Sequence, residues 1–216
     1  MTDTIKRTIE NIRQNNMECF FAENKQEARK IALSLISKGD SIGVGGSVTL
    51  NELELLTDFR NGNYHFLDRY GDKTPEEVVQ IFRDSFYADV YFTSSNAVTE
   101  NGELYNVDGN GNRVAAMIYG PKKIIIIVGK NKIVKDLNEA VLRVKSIAAP
   151  LNCKRLNKTT PCAKTGKCIS FSEGNAEIAS AGCKTSERIC CEYVITAMQR
   201  NPDRIKVIIV NENLGY

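Results

Sequence analysis

The sequence predicts a single α/β domain built on a mostly parallel sheet, and three observations predict it. Short apolar runs of strand length alternate with helical patterns along most of the chain. Ile124–Val128 and Ile205–Val210 are unbroken hydrophobic runs, as strands covered on both faces require. No internal repeat or long low-complexity linker divides the 216 residues, a length that buries a substantial core.

The elements follow in order. Thr2 to Asn16 is polar but carries Ile5, Ile9 and Ile12 at helical spacing. Whether that helix packs on its own domain or on another subunit stays open. Asn24 reads as the N-cap of a helix over Lys25–Ser37, with Ala28, Ile31, Ala32, Leu35 and Ile36 as its apolar stripe. Ser41–Val44 is a short strand running into Gly45-Gly46-Ser47, and Leu50–Leu56 resumes a helix. His65-Phe66-Leu67 is a further short strand. Thr74-Pro75-Glu76-Glu77 has the cap, first-turn proline and capping-box glutamate of a helix start. Ala88–Thr93 is a strand and Glu103–Val107 a hairpin arm. After Ile124–Val128, a helix is expected over Ile133–Ala148, another over Ser186–Met198, and a closing strand over Ile205–Val210.

The formal net charge is +3, with basic residues spread along the chain. A nucleic-acid surface would show a concentrated basic face. No apolar run approaches the roughly 20 residues that cross a bilayer, and the N-terminus lacks a signal-peptide core. A soluble, cytoplasmic protein without nucleic-acid or membrane partners is the expectation. In that compartment the seven cysteines stay reduced. Cys19 stands alone, whereas Cys153, Cys162, Cys168, Cys183, Cys190 and Cys191 fall in the last third.

Polar loops at strand ends carry the candidate chemistry. Gly45, Gly46, Ser47 and Thr49 follow a strand and open a helix, which suits close backbone approach to an anion; the same residues also make a capped tight turn. It has neither the lysine of a P-loop nor the spacing of a dinucleotide fingerprint, and no flavin or NAD site is recognised. Asn96, Glu100, Asp108, Asn112 and Arg113 form a second polar region. There Glu100 and Asp108 are the acid/base candidates, and Arg113 is a bidentate clamp for a small anionic or carboxylate ligand. Read as structure only, the same loops are hairpin turns built on Asn-Gly and Asp-Gly pairs. Lys130 and Lys132 follow the isoleucine strand and read either as ligand contacts or as a solvated loop. His65 is the only histidine, so any arrangement needing two is excluded. Cys162, Cys168, Cys183 and Cys190 supply four thiols, enough for zinc or an iron–sulfur cluster, although no Cys-x-x-Cys pair is present.

Taken together, Gly-Gly-Ser-x-Thr from Gly45, Asn96-Ala97-x-Thr99-Glu100-x-Gly102, Asp108-Gly-x-Gly-Asn-Arg-Val-Ala-Ala116, Gly120-Pro-Lys-Lys123 and Gly129-Lys-Asn-Lys132 resemble the lactate-utilization (LUD) domain family. Thr160-Pro161-Cys162, Glu187-Arg188-Ile189-Cys190 and the terminal Val-Asn-Glu-Asn-Leu-Gly extend the resemblance, which runs from about Ser41 to Gly215. It implies a three-layer α/β/α, Rossmann-like fold shared with CoA transferases and ribose-5-phosphate isomerases. It divides the chain into an N-terminal helical segment (1–40) and a LUD-type domain (41–216) with a Cys-rich insertion at 150–191. It also implies a subunit or accessory of an iron–sulfur-dependent oxidation of lactate or a related small carboxylate, with iron–sulfur partner proteins. The alternative is a non-catalytic module that binds an anion or senses metal or redox state. An oxidoreductase subunit and a homo-oligomer are both compatible with it. Related sequences carry Cys-x-x-Cys where this chain has Cys168, an Ile169–Gly182 insertion and Cys183.

Overall fold

The computed structural model describes residues 1–216. Its centre is a six-stranded sheet in the order β1 (Glu18–Ala22), β10 (Ile205–Val210), β7 (Lys123–Gly129), β4 (Val90–Thr93), β2 (Ser41–Val44) and β3 (His65–Phe66). Every pairing in it is parallel. Parallel strands need helical crossovers, and these cover both faces. The isoleucine run shows this at single-residue resolution. Ile125 and Ile127 enter one core with Val44, Leu50, Phe59 and Phe92, beneath α2 (Lys25–Ser34), α3 (Val48–Glu52) and α4 (Leu55–Asn61). Ile124, Ile126 and Val128 enter the opposite core with Ile5, Ile9 and Ile12 of α1 (Asp3–Gln14) and Met117 of α6 (Asn112–Ile118). Alternate residues of one strand therefore fill two cores, and the molecule is a three-layer α/β/α fold.

A smaller sheet, β8 (Ile133–Val134), β5 (Ala97–Thr99), β6 (Leu104–Asp108) and β9 (Glu192–Thr196), stands beside the first. It carries the Asp108 loop. A third core, with Ala97, Tyr105, Val107, Ala140, Val141, Val144 and Ala149, packs it against α7 (Leu137–Arg143) and α8 (Ala149–Arg155).

Local chemistry accounts for many element ends. Thr74 and Glu77 form the expected capping box of α5 (Pro75–Asp84), and Asn24 caps α2 by accepting from the Glu27 N–H at 3.0 Å. Four expectations change. The Leu50–Leu56 helix is broken at Glu54, whose left-handed backbone (φ 57°) separates α3 from α4. The helix expected from Ile133 begins at Leu137, because Ile133 and Val134 pair with Val98 and Thr99 and Asp136 is the cap. It then continues through a π-turn at Val144–Ala148 into α8. Pro150 has no N–H to donate, and the wider turn accommodates it. Ser186–Met198 is not a helix: its β-branched stretch Val194-Ile195-Thr196 belongs to β9, paired antiparallel with all of β6. Residue 40 marks no structural boundary, since β1 completes one edge of the main sheet and α1 packs on the chain's own core.

Candidate functional site

Strands β2, β4 and β7 lie next to one another and end on the same edge of the sheet. The chain passes from β2 to β3 on one side and then crosses back to β4 on the other side of β2, a reversal of the kind where open α/β sheets leave a crevice. A cleft of about 450 Å³ occupies this edge, and Gly46, Ser47, Asn96, Asp108, Asn112 and Arg113 all line it. Thus six of the residues expected at the site come together. Gly45 and Thr49 lie immediately behind the wall. A Cβ at Gly45 would meet Thr93 Oγ1 at 2.7 Å and the Arg113 stem at 3.0 Å, so glycine is needed there for packing. Ser47 caps α3, its hydroxyl accepting from the Leu50 N–H at 3.3 Å.

Two expected residues lie elsewhere. Glu100, at the β5–β6 turn, pairs with Arg7 of α1, and its carbonyl accepts from Asn11 Nδ2 at 2.7 Å. It ties the N-terminal helix down rather than lining the cleft. Lys130 is exposed and donates to Asn211 Oδ1 at 3.3 Å. Arg113 is in the cleft wall but in an unexpected role. Its Nε donates to Asp108 Oδ1 (3.4 Å), Nη1 to Asn106 Oδ1 (2.7 Å) and the Ser94 carbonyl (3.2 Å), and Nη2 to Asn96 Oδ1 (3.0 Å) and the Val107 carbonyl (2.9 Å). All five guanidinium N–H groups are engaged by the chain. Arg113 therefore braces the Asp108 and Asn96 loops and contributes its charge, not free donors, to the cleft. Asp108, which also accepts from the Arg113 N–H at 3.1 Å, remains as the cleft's expected acid/base group.

Residues not singled out from the sequence complete the site. Arg69, Arg155, Lys158, Glu187 and Arg188 line it, and so does Lys132, for which the sequence left a ligand contact and a solvated loop both open. The lining thus holds six cationic side chains and two carboxylates, Asp108 and Glu187. Four of the cations, Arg69, Lys132, Arg155 and Arg188, enter none of the chain's ion pairs. Arg69 lies over the Phe82 ring at 4.7 Å, and Arg155 donates to Tyr216 Oη and Asn152 Oδ1 at 2.8 Å. Arg69 lies in a loop far in sequence from Arg155, at the end of α8, and from Lys158 just beyond it, so no local motif announces the group.

Lys132 is 4% exposed and has hydroxyl partners only: Nζ donates to Ser94 Oγ (2.9 Å) and Thr49 Oγ1 (3.1 Å). Burial, with the charges of Arg143 and Arg113 nearby, brings its pKa down from 10.5 to about 7. Gly215 closes over it with a left-handed backbone (φ 56°); a Cβ there would come within 3.3 Å of Nζ and 2.7 Å of Thr49 Oγ1.

Four sequence-selected thiols, Cys162, Cys168, Cys183 and Cys190, face one small apolar cavity of about 30 Å³, and Cys153 joins them. The Cys153 and Cys162 sulfurs are 3.7 Å apart. Hydrogen bonds from the Cys153 thiol, the Thr160 hydroxyl and backbone N–H groups favour the Cys162 thiolate, whereas burial pushes Cys190 up to about 12. A set of five thiols has the right chemistry for zinc or an iron–sulfur cluster. No three His, Cys, Asp or Glu side chains are grouped at metal-holding distances. The Ile169–Gly182 insertion is fastened beside them: Lys145 Nζ donates to the carbonyls of Ala176 (2.9 Å) and Ile178 (2.5 Å), and Arg188 Nη2 to that of Ser180 (2.7 Å). Val144, Ala149, Arg188, Ile189 and Cys190 bound both cavities.

Comparison with known proteins fits this architecture. A sequence model described as the LUD domain matches residues 5–210. The chain belongs to the LUD-domain family. Membership makes it a protein of the lactate-utilization type in that general sense. The match begins within α1, so the family's domain takes in the N-terminal segment as well. A solved structure of a DUF162 family protein from Deinococcus radiodurans is similar over 97% of both chains, with a TM-score of 0.52 and 14% identity, which speaks for the fold. No curated protein matches the chain. No helix of this LUD domain is long and apolar enough to cross a membrane.

Proposed function

We propose that the cleft binds a small organic anion through a carboxylate, and that the chain serves as a subunit or accessory in an iron–sulfur-dependent oxidation of lactate or a related small carboxylate. The observation that carries the anion reading is the imbalance of six cationic side chains against two carboxylates, four of the cations lacking any ion-pair partner. A concave site lined by one sign of charge concentrates anions of the other. Family membership supplies the lactate context. The cysteine cavity supports the iron–sulfur part: Cys162, Cys168, Cys183 and Cys190 would hold a cluster or zinc, whose electron-transfer chemistry or structural role their thiolates alone do not supply. Anaerobic purification, metal analysis and a visible spectrum test that part; fewer than stoichiometric iron and zinc under those conditions would remove it.

Calorimetric titration with lactate, pyruvate and inorganic phosphate tests the cleft. Arg69→Ala is expected to weaken binding by about tenfold, the effect of one lost charge-assisted hydrogen bond. Unchanged affinity would place the anion elsewhere. The second reading, a binding or sensing module without turnover, is favoured by two placements: Arg113 has no free donor and Glu100 lies outside the cleft. Lactate oxidation assayed with an artificial electron acceptor separates the two, since a module binds and does not turn over.

A further inference from the structure

We infer that Lys132 is a covalent-chemistry residue: its amine forms an imine with a carbonyl-bearing carboxylate, of the 2-oxo acid class, held in the cleft. The inference rests on the anion reading and adds to it a reactive atom and a substrate class. Its foundation is placement. The side chain is almost wholly buried yet lines the cleft wall beside Ser94 and Asn96. A buried lysine ordinarily has a carboxylate partner; this one has two hydroxyls, leaving one N–H unpaired when the amine is protonated. The charged groups acting on it are Arg143 of α7, Arg113 of α6 and Glu52 of α3, so cations outnumber the single carboxylate. That environment disfavours ammonium and keeps a nucleophilic lone pair available near neutrality.

The reaction balances without an outside reagent. The Lys132 nitrogen forms a bond to the carbonyl carbon, giving a carbinolamine. The carbonyl oxygen then leaves as water, taking both amine hydrogens, and the C=N bond replaces the C=O bond. Ser94 and Thr49, hydrogen-bonded to Nζ, are placed to pass protons between nitrogen and oxygen. The ligand's carboxylate faces the guanidinium groups that share the cleft, Arg69 and Arg155. Gly215 fits this assignment, because a side chain there would press on the very nitrogen that has to react.

The full chain incubated with pyruvate, and separately with 2-oxoglutarate, in the presence of sodium cyanoborohydride tests the inference by peptide mass spectrometry. A reduced adduct on Lys132 is expected. Its loss in Lys132→Arg, which keeps a long basic side chain without a primary amine, is expected with it. Calorimetry on the unreduced protein keeps the two readings apart. Pyruvate, lactate or phosphate binding without an adduct at Lys132, or adducts confined to exposed lysines, overturns the imine and leaves the anion cleft standing. If none of these anions binds and no adduct forms at Lys132, both readings fall together.

Discussion

Arg113 and Lys132 show how far side-chain identity alone leads. An arginine inside Asp-Gly-Asn-Gly-Asn-Arg invites reading as an anion clamp, yet every donor of Arg113 is spent on Asp108, Asn106, Asn96 and two carbonyls. Removing it would strand a carboxylate and two buried carbonyl oxygens, so Arg113→Ala is expected to cost about 3 kcal/mol, read from urea unfolding. Arg113→Lys should recover little, because an ammonium cannot reproduce the planar fork. Lys132 carries a pH signature. Its folded pKa of about 7 lies below the ordinary 10.5, so between those values the unfolded chain holds a proton that the folded chain lacks. Rising pH therefore favours the fold across that window, and the contribution is flat below about 7, where both states are protonated. Lys132→Met is expected to lose that part of the pH slope when urea midpoints of the two proteins are compared. Six of the residues expected at the site share the cleft because they follow strand ends of the main sheet or sit in the Asp108 loop of the smaller one. Arg69, Arg155 and Lys158 were not legible in the sequence, since only folding brings them to the cleft.

At the scale of elements, reliable signals were chemical and misleading ones were periodic. The Thr74–Glu77 box and the Asn24 cap depend on adjacent side chains and backbone, which the sequence contains in full. Ser186–Met198 depends on a partner, β6, more than eighty residues earlier, and tertiary pairing overrides its helical spacing. Ile133–Val134 is the same case in miniature, with Asp136 marking the true helix start. The Ile169–Gly182 insertion stands where related sequences carry Cys-x-x-Cys, and Lys145 holds it by two carbonyls from a buried position on the π-turn. Lys145→Ala is expected to release it, and glutamyl endopeptidase should then cut at Glu173 and Glu177 several times faster than in the parent chain, a rate set by local opening. Equal cleavage rates would mean that Arg188 and the short turns of the insertion suffice to hold it.

For the whole molecule, the parallel α/β character and its two double-covered central strands were legible from hydrophobic runs alone, whereas strand order was not, because crossovers of similar length fit more than one order. The N-terminal 40 residues looked separable and are not: β1 shields the β10 edge, and Ile5, Ile9 and Ile12 close one core. Deleting residues 1–24 is therefore expected to abolish cooperative unfolding and the near-ultraviolet circular dichroism signal, as exposed strand edge and core lead to association. A last consequence follows from the wall between the two cavities, to which Val144, Ala149, Arg188, Ile189 and Cys190 all belong. A partition whose residues line both cavities has no independent faces. Any occupant that pushes Ile189 or turns Arg188 to suit one chamber reshapes the other, and by thermodynamic reciprocity the second chamber's occupant acts back on the first with the same free energy. The thiols and the cationic cleft are, in that respect, two halves of one instrument.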